Sequence, residues 1–549
     1  MKYEVQLLKG VTFEVESGKY SYKVLPREST VLVKTIDDRG RATETKYGFV
    51  DREEIYSLIE TQQKINLNQC YMAGFSIKEY KAKMNLINEL KVLIDLDGGI
   101  DTFFDTVYSF ERAHGRELFS KKLISNYNED ESITADFSYV CLENDNSEVN
   151  FSNAQFGDGE VNFSNAQFGD GNVDFSDAQF GDGGVNFSNA QFGDGKVNFL
   201  EAQFGDGKVN FSNAQFGDGE VDFSNAQFGD GNVNFSDAQF GDGNVYFFIA
   251  QFGDGNVYFS DAQFGDGEVN FSNAQFGDGK VVFTRTQFGD GEVDFHHVRF
   301  GEGDVGFTRI LGETVIFNDC CFRGHVNLEN AKCKNLIIKN CLIEKTLSLK
   351  GMEVLTLSLQ DTKNLGQIFV KWKEDKIEER LKSDTSQNLT DQFVMLKENF
   401  HTIGRYEDED MAYVKYKRCE WKSKYDELCN GKVYWIPMHY IKKLAFDTIS
   451  EYATNYKRVA FCMIILWAVF TIFCFIPGQL CKSGVDYSVG YIPEIREGIS
   501  YSIATFLTIG YGNITPSTSF AVFLSGLEGF SGVFLIAYFT VAFARKALR

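Results

Sequence analysis

VNFSNAQFGDGN, residues 161–172, is followed directly by VDFSDAQFGDGG, residues 173–184, and the unit keeps repeating. This 12-residue unit recurs 13 times between Val149 and Asp304. A short fixed period means a solenoid, in which each unit buries its apolar side only against its neighbours. Within one unit Val161 alternates with Phe163, and then Ala166 alternates with Phe168. Each pair marks a short strand-like side with two inward side chains. The S-N and G-D-G-x stretches read as corners, with glycine supplying left-handed or tight-turn backbone.

Twelve residues could close a flat, two-sided coil, but each layer would then hold two Phe and one Val. Layers stacked about 4.8 Å apart leave no room for those rings in a flattened coil. A coil of 24 residues with sides spaced 5, 7, 5 and 7 gives eight inward side chains around a square core, and we prefer it. In VNLENAKCKNLIIKNCLI, Val326, Ala331, Leu336 and Cys341 fall five apart, each followed two residues later by Leu328, Cys333, Ile338 and Ile343. ADFSYVCLEN, from Ala135, does the same ahead of the repeat. Residues 135–360 thus resemble the pentapeptide-repeat family. That resemblance implies a right-handed quadrilateral β-helix, from which the two extra residues in each GDG corner depart.

The chain carries a formal charge of −23, and residues 149–304 alone sum to −20. An acidic protein of this kind is no phosphate binder, so no nucleic-acid partner is expected. Stacking puts the GDG aspartates (Asp158, Asp170, Asp182 and onward) in two columns. A bound cation would relieve their repulsion; the plainer reading is that each Asp caps its own turn through an Asx hydrogen bond. Eleven cysteines occur without a CxxC pair, which fits reduced thiols. Cys320, Cys321, Cys333 and Cys341 read as small core residues of the degenerate coils. The adjacent His296 and His297 read as strand neighbours pointing to opposite faces, a poor metal site.

Residues 1–130 read as a mixed α/β region, with helices expected at 51–62 and 78–95. Inside it Ile65, Cys70 and Phe75 stand five apart, the same period as the solenoid flanks. DLDGGID at 95–101 has half the spacing of a calcium loop and reads as a turn. Residues 365–433 read as a helical region, and 434–457 as an interfacial helix, in which Trp435, Tyr440, Leu444 and Phe446 stand beside Lys442 and Lys443.

VAFCMIILWAVFTIFCFI, residues 459–476, is an uncharged apolar run of 18 residues, about 27 Å long as a helix. A second apolar run, Phe520 to Ala544, carries one charge, Glu528. Between them, EIREGISYSIATFL at 494–507 suits a short helix leading into TIGYGN at 508–513. The two-span pore domain expected at 458–549 resembles, over about residues 455–545, the two-span potassium channel family, with the span, re-entrant helix, TxGYG loop and span in order. The resemblance implies that Thr508, Ile509, Gly510, Tyr511 and Gly512 form a selectivity filter. In it Thr508, Ile509, Gly510 and Tyr511 would hold dehydrated potassium ions through their oxygens. It also implies a homotetramer in which each chain supplies one loop. Asn513 stands at the pore mouth where the family often has Asp, and Ala504 supplies no carboxylate behind the filter. Gly532, with Gly529 as competitor, falls where the family's inner helix often bends. Glu528 reads as a functional candidate or as a brace bonded to the pore helix.

Lys457, Arg458, Arg545, Lys546 and Arg549 flank the spans, against Lys482 and Arg496 in the loop between them. Positive-inside then puts both termini and the solenoid in the cytoplasm, with the chain a multi-pass protein of the plasma or inner membrane. Neither a nucleophile–base constellation nor a phosphate-binding loop is present, so no enzyme and no cofactor beyond the permeant potassium is expected. The solenoid would serve as a regulatory, anchoring or assembly module for a protein partner or ligand. Two other readings stay open: a weakly selective cation channel, and a membrane-tethered interaction protein whose acidic solenoid does the work.

Overall fold

Strand pairing sets the length of the coil. Val173 pairs in parallel with Val197, and Val185 with Val209. Each partner lies two sequence units on, so one coil holds two units and has four sides. The flat 12-residue coil is excluded. These observations come from a computed structural model, which describes residues 2–14, 25–36, 42–51, 53–55, 57, 65–67, 69–73, 133–137, 140–142, 149–154, 156, 158–383, 385–431, 436–483, 491–510 and 512–548. Two compact units emerge, Met1–Lys382 and Ser383–Arg549.

In the first unit, parallel ladders of 12, ten and eight strands cover three sides of the solenoid. Single bridges such as Gln191↔Gln215 and Gln239↔Gln263 carry the fourth. Phe163 N–H donates to Asn186 O at 2.7 Å and Gln191 N–H to Ala166 O at 2.8 Å, so the backbone bonds run between coils. Inside, Phe151, Phe163 and their equivalents in later coils are fully buried. Each stacks on the ring one coil away: Phe187 and Phe211 have centroids 4.9 Å apart at an interplanar angle of 1°. The two central columns meet edge to face, as Phe187 and Phe199 do at 5.7 Å and 85°. Both geometries suit the aromatic quadrupole. Phe211→Ala is expected to cost about 3–5 kcal/mol through lost contacts and the hole left behind, measurable as a lower denaturation midpoint for the solenoid.

Glycine does a different job at the corners from the one read off the sequence. Left-handed backbone belongs to the second residue of each S-N corner: Asn165 has φ 57°, Asp177 55° and Asn213 55°. Asn and Asp tolerate that conformation best after glycine. Ala166 N–H closes the turn onto Phe163 O at 3.1 Å, and Asn162 Oδ1 accepts from Ser164 N–H at 3.0 Å. His296 ends its strand at this corner and His297 takes the left-handed position, φ 55°, rather than a second strand position. In the GDG corners the need is proximity. A Cβ on Gly207 would lie 2.1 Å from Gly183 O, and one on Gly205 2.4 Å from Gly181 O. The aspartate between them caps the next coil, not its own turn: Asp206 Oδ1 accepts from Asp230 N–H at 3.0 Å, and Asp230 Oδ1 from Asp254 N–H at 2.9 Å. Among the described residues no group of three or more potential metal ligands occurs.

Where the GDG corners fade, the coil shortens. Val305 pairs with Val326 and Val315 with Leu336, an offset of 21 against 24 in the repeat, so most of the extra length of each coil goes with its GDG corners. Cys320, Cys333 and Cys341 are buried there, whereas Cys321 sits half-buried on an outward flank. Desolvation pushes the Cys333 thiol up to about 12.

The solenoid begins earlier than the repeat. Strands β1 (Lys2–Leu8), β2 (Thr30–Ile36) and β3 (Ala42–Asp51) form an antiparallel meander. Next, β4 (Ile65–Asn66) pairs with β6 (Ile133–Asp136), and β5 (Cys70–Ala73) joins β3 to β7 (Cys141–Leu142). Ile65 and Cys70 therefore occupy successive solenoid sides, and on the β5 side the meander covers the edge of the first coil, which would otherwise invite strand addition. The turn at 95–101, the helix expected at 78–95 and most of that at 51–62 lie outside the described residues. At the other end the last strand is Gln367–Phe369, past residue 360. Trp372, Ile377 and Leu381, around a one-turn helix Ile377–Arg380, are buried over the final coil.

The second unit is helical. Thr385 caps α1 (Ser386–Thr402) by accepting from Asn388 N–H at 3.1 Å. Gly404, at φ 72°, turns the chain into α2 (Tyr406–Gly431). The stretch 434–457 is not one continuous helix. It runs as α3 (Ile436–Lys443), widens into a π-helical turn Leu444–Thr448, and reverses hand at Glu451–Ala453. Asn455 then caps α4 (Tyr456–Cys474), and Thr518 caps α6 (Ser519–Ala547). Between these lies α5 (Ile495–Phe506). Val459, Phe506 and Leu535, one from each of α4, α5 and α6, form their common core.

Candidate functional site

Helices α4 and α6 are long and apolar enough to cross a membrane. Phe461, Ile464, Ile472, Phe523 and Phe530 stand exposed on them, as lipid- or partner-facing residues do. Short α5 does not span. Its C-terminus delivers the chain into TIGYGN, and its last turn is closed by Thr508 N–H to Thr505 O at 3.1 Å and Ile509 N–H to Ala504 O at 2.7 Å. Left-handed φ then recurs at alternate residues, 56° at Thr508 and 71° at Gly510. Such alternation turns like backbone groups to one side. A Cβ on Gly510 or Gly512 would meet nothing within 4 Å, so conformation, not space, calls for glycine at 510. Tyr511 lies outside the described residues.

The loop is held on its far side as well. Asn513 O accepts from Ser483 N–H at 3.0 Å. The next residues, Ile514–Pro516, pair antiparallel with Leu480–Lys482. Thr518 Oγ1 donates to Gln479 Oε1 at 2.6 Å. Behind α5, Ser502 Oγ donates to Glu528 Oε1 at 2.5 Å, and Thr471 Oγ1 lies 2.9 Å from Ser502 Oγ. Glu528 is 2% exposed, so its carboxyl joins α6 to the middle of α5, with α4 as the third member. Ser502 and Thr471 carried no signal in the sequence beyond being hydroxyls in apolar runs.

Residues 459–549 match the ion channel family. This segment is an ion channel domain. No curated protein matches the chain.

Within the channel domain two of the glycines of α6, Gly529 and Gly532, differ. A Cβ on Gly532 would lie 1.9 Å from Phe506 O, whereas one on Gly529 would lie 3.4 Å from Thr505 O. Helix α6 runs unbroken past both. On the loop between the spans, Lys482 and Tyr491 both bond Glu497, Tyr491 Oη at 2.6 Å. Lys482 first, then Tyr491, hold the Glu497 carboxyl down to about 2. A depressed carboxylate contributes above its ordinary value, near 4.3, and the contribution is lost only as pH falls through the folded value. Acid down to about pH 4 is therefore expected to leave this contact intact, while Lys482→Met moves its protonation toward the ordinary carboxylate range. The check is ion flux against pH on that side of the membrane.

At the opposite end the channel domain is tied to α2. Arg545 Nη2 lies 2.7 Å from Asp410 Oδ1, and its guanidinium sits 4.9 Å from the Tyr413 ring centroid. Further along α2, Arg418 donates to both Asp447 oxygens, Nη2 to Oδ1 at 2.8 Å and Nε to Oδ2 at 3.2 Å. Asp447 is in the π-helical turn, and Glu451 beyond it bonds Arg458 at the base of α4. One helix thus grips the base of both spans. Of these charges the sequence singled out only Arg458 and Arg545, as topology signals.

Proposed function

We propose that this membrane protein is a potassium-selective channel built from four copies of the chain. The observation that carries the reading is TIGYGN, held at the C-terminal end of α5 between two membrane-length helices, with left-handed backbone at Thr508 and Gly510. A dehydrated potassium ion needs oxygens in place of its water, and converging backbone carbonyls from several loops supply them. In a single copy Ile509 is 52% exposed. Irregular backbone at membrane depth is tolerated only where protein or a water-filled path covers it, which favours further copies around the loop. The negative C-terminal end of α5 favours a cation at its inner side. Glu528 acts as the brace between α5 and α6.

In this reading both termini and the solenoid face the cytoplasm, and the plasma or inner membrane surrounds the spans. The solenoid binds a cytoplasmic protein or ligand and acts through α2, which holds Arg545 at the end of α6 and Asp447 ahead of α4. Such control requires two arrangements that the partner binds unequally. The test is flux from liposomes holding the purified protein. Potassium is expected to pass far faster than sodium, and Tyr511→Ala to abolish the difference. Equal rates in the unmodified protein, or no cation flux from it at all, would remove potassium selectivity.

A further inference from the structure

The base of the channel domain contains a cavity of about 390 Å³ between α2, the π-helical turn, the left-handed turn and α6. Its walls are Tyr413, Phe446, Tyr452, Tyr538 and Val541, with small Ala537 and Ala453 leaving the space open. The volume falls within the range of small-ligand sites, about 300–1,000 Å³. Aromatic and alkyl walls whose only polar side-chain atoms are phenol hydroxyls suit an apolar guest better than water.

Two further observations point to the guest. Phe446 both lines the cavity and is 42% exposed, and Ile441 and Leu444, just before it, are 59% and 57% exposed. These flank Lys442 and Lys443 in the amphipathic stretch ahead of α4, so the cavity opens where apolar side chains and cations meet, as at a bilayer interface. Secondly, Glu451, Tyr452 and Ala453 hold φ of 48°, 55° and 60° in succession. Three consecutive non-glycine residues of this hand are unfavourable and persist only where their surroundings hold them, a pattern concentrated at ligand clamps and switches. Tyr452 and Ala453 are both in the cavity wall.

We propose that this cavity takes one acyl chain of a lipid from the adjoining leaflet. The chain would lie between α2 and the Ala537–Val541 face of α6, and fill a space that exists only while these elements and the left-handed turn keep this arrangement. Its binding would therefore favour this arrangement over any other. The consequence for opening rests on the channel reading, but the site itself does not.

The test uses the full-length protein in bilayer nanodiscs containing a phospholipid with a photoactivatable acyl chain, with labelled peptides mapped by mass spectrometry. Label is expected on peptides carrying Phe446, Tyr452 or Tyr538. Ala537→Phe, which plugs the cavity, is expected to reduce it by about tenfold, while label on the exposed α4 residues Phe461 and Ile464 stays unchanged. If Ala537→Phe does not fold, Val541→Trp plugs the same space from the next turn. Label that survives the plug, label confined to Phe461 and Ile464, or label obtained only from a photoactivatable free fatty acid would overturn the proposal. So would cross-linking of the cavity residues to a second copy. The labelling is independent of ion flux, so a protein that conducts nothing can still pass it.

Discussion

Gly510→Ala is expected to abolish selective flux. Gly510 holds φ 71° with nothing within 4 Å of where a Cβ would be, so the alanine meets no neighbour and fails only in conformation. Left-handed backbone costs a non-glycine residue about 1–2 kcal/mol. Four loops around one pathway would multiply that to about 4–8 kcal/mol, and each 1.4 kcal/mol is a factor of ten. The conducting arrangement is then depopulated by roughly a thousandfold or more. Potassium flux into liposomes should fall to background while the assembly stays intact by size-exclusion chromatography. Normal flux from Gly510→Ala would mean that the left-handed loop is not the working conformation.

The second large effect concerns Gly532. A Cβ there would stand 1.9 Å from Phe506 O, 2.8 Å from Phe506 C and 3.2 Å from Phe506 Cα. All three are backbone atoms of α5, the helix that leads into the loop 508–513, so no side chain can move aside. Gly532→Ala must push α5 and α6 apart, and overpacking of this kind costs about 1–3 kcal/mol, occasionally more. Because α5 holds the start of the loop 508–513 through Ala504 and Thr505, the displacement should remove flux as well as lower the melting temperature. Gly529→Ala, with a gap of 3.4 Å to Thr505 O, should be tolerated. A hinge predicts a different outcome: full stability in Gly532→Ala with altered opening. Melting temperature and flux, measured on the same two variants, separate close packing from bending.

How far the sequence reaches depends on how each contact is spaced along it. Within the GDG repeat each coil makes its contacts at a constant offset, so alternating Val and Phe reported the inward faces, and ring size argued for four sides. The ion channel domain was equally legible, because TIGYGN is contiguous and its flanking spans are local runs of apolar residues. Even Ile65 and Cys70 carried the solenoid period, though only the pairing of Ile65 with Ala135 and of the neighbouring Tyr71 with Cys141 shows the chain leaving the first coil and returning to it.

Other features required the chain to be folded. Glycines in the GDG corners looked like turn formers, yet they are there because the coil beneath comes too close for a Cβ, and the left-handed work falls to Asn165 and its equivalents. Composition cannot distinguish these two uses, since both demand the same residue. The partnerships of Glu528 with Ser502, of Gly532 with Phe506 and of Arg545 with Asp410 join different helices. No period links such pairs. Which side chain meets which is set by how helices cross and how nearly their backbones approach, and those quantities exist only in three dimensions.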